Sequence, residues 1–495
     1  MSTAVDAFLH PQLSLEVKAL VRALYGFLLL MTLIGAGQHA RRFFVSERWG
    51  GYGQSCPAVD CLQNRWLFPV VFCLWFGTAV CLIVGFRTLW AAAINALLCH
   101  YYFVQMRWKG VLRGMGAPGF MTWWLGAVVF LLELTSRYAP DLRSTALLVA
   151  QVDFAGIMLS AGIYKFTAGY RQNHGMELGM ANPQWGFWHA FYRRFSPSSR
   201  LFKTLNQCAW STEVMAGAMM LVPATRFLGG VLIVGSFLFI ATQIRLGTLC
   251  FVVMVAGLLF FAPDTMGGRV IDTCWPANWP TSIDRVEPGS LVPWAHTLLA
   301  VGLWGYLVLL PPAHAGLFYN FYGHRSLPRR LQLALERYTN FFGIIIWRVF
   351  SADHTTFCIM VHRQQRIGAG QRVLISDYGR LGGRFRHVGE SITLTTLFTT
   401  LKYYPSNSAL FRERLLRYAR TLDCPRDQVL VFEYLSVVKQ PGCFELVPIA
   451  EYHVDVPAGD VDEVSLSAEL STRQVLSVSP VREGVRPGSY VAART

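Results

Sequence analysis

Long apolar runs recur through the first two thirds of this chain, and they restrict its possible folds more than any other feature. A helix needs about 20 such residues to cross the hydrocarbon of a bilayer. The pattern places helices at Leu20–Ala36, Leu67–Gly85, Leu89–Met106, Phe120–Thr135, Thr145–Lys165, Leu205–Val222, Phe227–Ile244, Leu249–Ala262 and Leu291–Leu310. That is about nine transmembrane helices, of which Leu205–Val222 is the most polar and Leu249–Ala262 the shortest. With 53% hydrophobic and 15% charged residues, the chain carries more apolar surface than one soluble core can hide. Membrane lipids are therefore partners, and residues 1–312 read as a multi-pass integral domain of a plasma or inner membrane. The first span follows Asp6, Glu16 and Lys18 rather than a basic stretch, and no small-residue cleavage site comes after it. It reads as a retained helix, not a signal peptide.

The formal net charge is +15. The basic residues lie in loops between the spans rather than on one helix or tail, so they report topology and anionic lipid, and nucleic acid is not an expected partner. With nine spans, the larger set of basic loops shares a side with the C-terminal part, which the positive-inside rule places in the cytoplasm. On that count, the helix ending at Lys165 also opens toward the C-terminal part.

Pro311-Pro312 reads as the end of the last span. Residues 313–350, with the amphipathic run LQLALERYTNFFGIIIWRVF, read as an interfacial connector. Residues 351–460 read as a β-rich α+β extramembrane domain. Phe357–His362, Arg372–Ser376, Val429–Val438, Phe444–Ala450 and Tyr452–Val456 are its expected strands, and Lys439-Gln440-Pro441-Gly442-Cys443 is a hairpin turn. Ser391–Tyr403 and Ala409–Thr421 are expected helices, the second capped from Pro405-Ser406-Asn407. Residues 461–495 read as a disordered tail.

Ionisable residues inside spans are rare and mark sites or buried pairs. Lys165 closes the run Ala146–Ile163, where an ammonium either snorkels to the interface or serves a site. Glu133 lies four residues before Arg137 and suits a local pair. Asp153 is deeper and has no cation within four residues, so it is expected either to stay protonated or to find Lys165 or His100 on another part of the bundle. Glu213 suits helix packing or a cavity. Downstream of Lys165, a loop from Tyr170 to His189 that includes Trp185 is dense in aromatic and polar residues, which suits headgroup anchoring or the roof of a cavity. Glu213, Asp153, Tyr170 and Trp185 are the candidate substrate-binding residues. Cys56 and Cys61 would pair in an oxidising compartment and remain thiols in the cytoplasm. Asp353-His354 and His362 have no standard metal spacing, and no metal is expected. P-loop, G-x-S-x-G, H-E-x-x-H and paired C-x-x-C motifs are absent from the sequence.

Three segments carry a family resemblance. Ala161-Gly162-Ile163-Tyr164-Lys165-Phe166 resembles the Ala-Gly-x-x-Lys-Leu segment of the vitamin K-dependent gamma-glutamyl carboxylase superfamily, whose bacterial branch is the horizontally transferred transmembrane domain proteins. Tyr170 stands where that family has tryptophan. Glu213 through Pro223, with Phe227–Ile244 and Leu258–Phe261, is similar to its paired helices, and Phe350 through Val456 is similar to its β-rich domain. The resemblance implies that Lys165 is the base that deprotonates a reduced, vitamin K-like quinone. Oxidation of that quinol then drives carboxylation of a glutamate in a protein or peptide substrate. His100 matches a substrate-orienting histidine in this picture. Desolvation near a membrane suits Lys165 to the role, because burial favours the neutral amine. The active carboxylases carry a His-x-x-Asn element where this chain has Phe237 and Ile240. Two functions follow: a membrane enzyme acting on a quinol or other lipid-soluble molecule, or a non-catalytic binding, immunity or assembly protein with the same architecture.

Overall fold

The computed structural model describes residues 2–53, 55, 60–105, 116–276, 290–323, 327–344, 352–366, 372–378, 385 and 388–465. All nine expected apolar segments are helical: α1 Leu15–Gly37, α2 Phe68–Val84, α3 Thr88–Cys99, α4 Gly116–Tyr138, α5 Arg143–Thr167, α7 Arg200–Leu221, α8 Arg226–Gln243, α9 Leu249–Gly257 and α10 Pro293–Gly323. A short helix, α6 Met176–Ala181, lies between α5 and α7. Five helices, α1, α4, α5, α8 and α10, are long and apolar enough to cross a membrane. The other four fall short of the expected nine for physical reasons. Helix α2 has 17 residues and α3 has 12, while α9 tightens into a 3₁₀ turn after nine. Helix α7 is long enough but carries Arg200, Lys203, Asn206, Gln207 and Glu213. In the most apolar stretch of α10, only 17% of the residues are buried within the protein, so its flank is left for lipid to cover.

Local rules explain several helix ends. Ser14 caps α1 by accepting a hydrogen bond from the Val17 amide at 3.1 Å, and its hydroxyl donates to Asp272 at 2.7 Å. At His100 the α3 helix widens into a π-helical segment, His100–Gln105. Helix α10 runs through Pro311-Pro312 instead of ending there. Each proline removes an amide donor, yet its fixed φ is compatible with helix, and the helix continues to Gly323. The connector is accordingly split: its first part extends α10, and its second is α11 Arg329–Phe342. Past the end of α11, Ile344 joins Leu310 and Ala313 of α10 in a small cluster against which Phe342 and Val152 of α5 pack.

The C-terminal part is a five-stranded antiparallel sheet of order β2-β1-β3-β4-β5. Its strands are β1 Phe357–Gln365, β2 Val373–Leu374, β3 Gln428–Lys439, β4 Phe444–Asp455 and β5 Asp460–Ser465. The expected separate strand Tyr452–Val456 is instead the second half of β4, which continues past a bulge opposite Tyr434 and Leu435. The expected tail contributes β5, and residues 466–495 lie outside the described residues. Helices α12 Val388–Tyr403 and α13 Ser408–Arg420 supply Leu394, Phe398, Phe411 and Leu415 to a core shared with Ile359, Val361, Phe432 and Val454 of the sheet. Asn407 caps α13 by accepting from the Leu410 amide at 3.1 Å.

Candidate functional site

Helices α5 and α7 meet through glycines. A Cβ on Gly162 would lie 2.8 Å from the Val214 backbone nitrogen and 2.9 Å from the Trp210 carbonyl oxygen, and one on Gly217 would lie 3.0 Å from the Ala155 carbonyl oxygen. Small residues allow this approach, as they do where membrane helices pack closely. Lys165 lies three residues after Gly162, and Glu213 lies four before Gly217. At that spacing each falls on the contact face. The Lys165 ammonium donates to Glu213 Oε1. Lys165 is 4% exposed and Glu213 1%. The second carboxylate oxygen, Oε2, is buried without a hydrogen-bond partner. Lys165 therefore does not snorkel; it ends in a buried ion pair.

Of the two expectations for Asp153, a partnership with Lys165 or His100 is not formed. Asp153 is twelve residues from Lys165 on the same helix, about 18 Å along its axis, and its Oδ2 instead accepts from Trp124 Nε1 at 2.8 Å and Tyr306 Oη at 2.7 Å. His100 is also elsewhere: its Nε2 lies 2.7 Å from the Phe341 carbonyl oxygen, and its ring packs against Trp123 and Phe341. Glu133 has its local partner Arg137 at 3.9 Å, together with Lys18 of α1 at 3.2 Å and the Thr88 hydroxyl at 2.7 Å. Phe237 and Ile240 are buried in the helical core.

The loop after Lys165 is enclosed in part, with Phe187 and Trp188 left exposed. Tyr170 is fully buried, and Trp185 donates to the His354 carbonyl at 3.3 Å. Asn182 donates to the carbonyls of Thr355 and Phe357 at 2.9 and 2.7 Å, and Gln184 to the Ser391 carbonyl at 2.8 Å. The loop thus docks the sheet domain, so the side of the bundle at which α5 ends is the side that carries this domain. Sequence reasoning did not single out Glu177. Its carboxylate is fully buried and takes hydrogen bonds from Lys439 of β3 and Asn206 of α7, both at 2.6 Å. A second buried tie joins Arg42 to Glu390, whose other oxygen accepts from Tyr418 at 2.6 Å.

No group of three or more His, Cys, Asp and Glu side chains among the described residues is arranged to hold a metal. Cys61 is exposed; Cys56, its expected partner, lies outside the described residues. No family model, curated protein or solved structure matches the chain. The carboxylase resemblance accordingly rests on the sequence segments that carry it.

Proposed function

We propose that this is a multi-pass protein of a plasma or inner membrane that removes a proton from a lipid-soluble, weakly acidic molecule such as a quinol, with Lys165 as the base. The observation that carries this reading is the buried contact between Lys165 and Glu213, with one carboxylate oxygen unpartnered. In a medium of low dielectric, a carboxylate beside an ammonium can take its proton, because a neutral pair avoids the desolvation cost of two ions. The proton moves from Lys165 Nζ to Glu213, and the amine then accepts the proton of the quinol hydroxyl. One proton moves at each step, first within the pair and then from the quinol, so the pair ends with both groups protonated, and the quinolate that results is the form dioxygen oxidises. The family resemblance around Lys165 points to the same chemistry, with a protein or peptide glutamate as a second substrate.

A non-catalytic reading has its own supporting observation: the pair ties α5 to α7, and the loop that follows is packed against the sheet domain. One experiment separates the two. The full chain, in nanodiscs supplied with reduced menaquinone, is assayed for oxygen consumption as wild type and as the Lys165→Met/Glu213→Met double variant, which retains packing volume without a stranded charge. The enzyme reading expects a folded variant whose activity falls to background. Equal rates in both proteins would leave the pair as a structural tie.

A further inference from the structure

The turn between α5 and α6 meets the end of β3 at an ammonium group. Lys439, the last residue of β3, reaches Glu177 Oε1 at 2.6 Å, His174 Nδ1 at 3.1 Å and the Asn173 carbonyl oxygen at 3.4 Å. An ammonium has hydrogens to give and no lone pair with which to receive one. His174 Nδ1 is therefore the acceptor, which requires a neutral imidazole with its hydrogen on Nε2. The contact between the helical part and the sheet domain thus selects one protonation state of a histidine.

Protonation reverses the contact. A hydrogen on Nδ1 points at the Lys439 ammonium, so the hydrogen bond is lost and two positive charges face each other across it. The Glu177 carboxylate is already committed: the Gly175 amide donates to both of its oxygens at 3.1 Å, Lys439 takes Oε1, and Asn206 of α7 takes Oε2 at 2.6 Å. Gln207 of α7, which donates to Asn173 Oδ1 at 3.3 Å, is neutral. Among the described residues, the charged groups at this contact are Lys439 of β3 and Glu177 of α6. His174 is half-buried and the Lys439 side chain is 28% exposed, so protons reach the contact from water. The β3–β4 hairpin that starts from Lys439 has two further holds, from the Ser196 hydroxyl to the Pro441 carbonyl at 3.0 Å and from the Phe444 amide to the Arg193 carbonyl at 2.9 Å. Neither of these titrates.

We propose that His174 is a proton-operated latch: its neutral ring holds the β3–β4 hairpin on the turn that follows Lys165, and its protonation loosens the hairpin from that turn. The latched state carries one proton fewer than the released state, so latching is favoured above the pH range in which an imidazole titrates and weakens as pH falls through it. Acid on the side of the bundle that carries the sheet domain is the signal. The latch does not depend on the chemistry proposed for Lys165, because no proton of the quinol reaction enters it.

The test uses the full chain in phosphatidylcholine nanodiscs. Amide hydrogen exchange is followed by mass spectrometry at about pH 7.5 and about pH 5.5, on either side of the ordinary imidazole titration, with intrinsic rates divided out. Peptides containing Gln440 and Phe444 report the hairpin, since their amides are held by the carbonyls of Cys443 and Arg193; peptides from β1 are the reference within the same sheet. The expected result is hairpin exchange at least about threefold faster at the lower pH, with the reference unchanged. In His174→Asn, whose side-chain oxygen stands close to the place of Nδ1 and accepts at both pH values, the hairpin is expected to exchange at one rate. Wild-type hairpin exchange that does not respond to pH would overturn the proposal, as would an acceleration shared equally by the reference peptides. An acid step that persists undiminished in His174→Asn would assign it to another group. The comparison of hairpin and reference in the wild type decides the matter even if the variant does not fold.

Discussion

At Glu213 the carboxylate is held in a place where Oε2 is buried and meets no second donor among the described residues. Removing Lys165 alone strands that charge, and breaking a buried pair in this way costs about 3–5 kcal/mol, whereas replacing both partners by apolar groups of similar volume is often neutral. Lys165→Met is therefore expected to lower the thermal unfolding temperature sharply in detergent, and Lys165→Met/Glu213→Met to restore most of it. A double variant no more stable than the single one would contradict this. Gly162→Leu is expected to destabilise by about 1–3 kcal/mol, because the new side chain meets the Val214 side chain and, behind it, the backbone at Val214 and Trp210. Lys165 and Glu213 each stand out in the sequence as charges in apolar surroundings. Their pairing does not, since it depends on how closely two glycines let α5 and α7 approach. Trp124, Tyr306 and His314 gave even less warning: an aromatic or a histidine in a membrane helix is ordinary until its position beside Asp153 is known.

Elements built on local periodicity were legible, whereas those decided by neighbours were not. Apolar runs located the helices, although the last one runs on through Pro311-Pro312 to Gly323, and the Pro-Gly turn located the β3–β4 hairpin. Whether an apolar run forms a helix long and apolar enough to cross a membrane depends on where the helix ends and which polar residues it carries, which is why nine apolar segments resolve into five candidates. The division of β4 into two expected strands failed because a bulge absorbs the irregularity without breaking the pairing. The sheet also carries a pH-dependent contact. Arg372, at the head of β2, reaches Glu451 of β4 with two hydrogen bonds of 2.6 and 2.9 Å. Those bonds hold the Glu451 carboxyl below its ordinary value, with His453 a smaller contributor. A carboxyl whose pKa is lowered on folding stabilises the fold above its unfolded value and loses that contribution as pH falls through the folded one. Amide exchange at Ile375 and Ser376, which hold β2 to the Val361 carbonyl, is expected to accelerate below about pH 4 once intrinsic rates are divided out. In Arg372→Gln this acid-dependent step should disappear; its persistence would assign the effect to another group.

On the scale of the whole molecule, two differently built parts are joined by buried polar contacts rather than by a linker alone. Asn182→Ala leaves the carbonyls of Thr355 and Phe357 without the donor they share, a loss of about 1–3 kcal/mol at the seam. Limited proteolysis is expected to release the sheet domain faster from this variant while the helical part stays intact; an unchanged cleavage rate would show that Glu177–Lys439 and Arg42–Glu390 suffice. Helix α10 has 31 residues, a rod of about 46 Å, longer than the roughly 30 Å of hydrocarbon in a bilayer. Pro311 and Pro312 leave the carbonyls of Leu307 and Val308 without their usual donors within the helix, which makes this the softest point for bending along it. Tyr306 stands before that point and His314 after it, and both face the same cavity. A change of bend at the prolines would therefore change the separation of two side chains that line the cavity at Asp153.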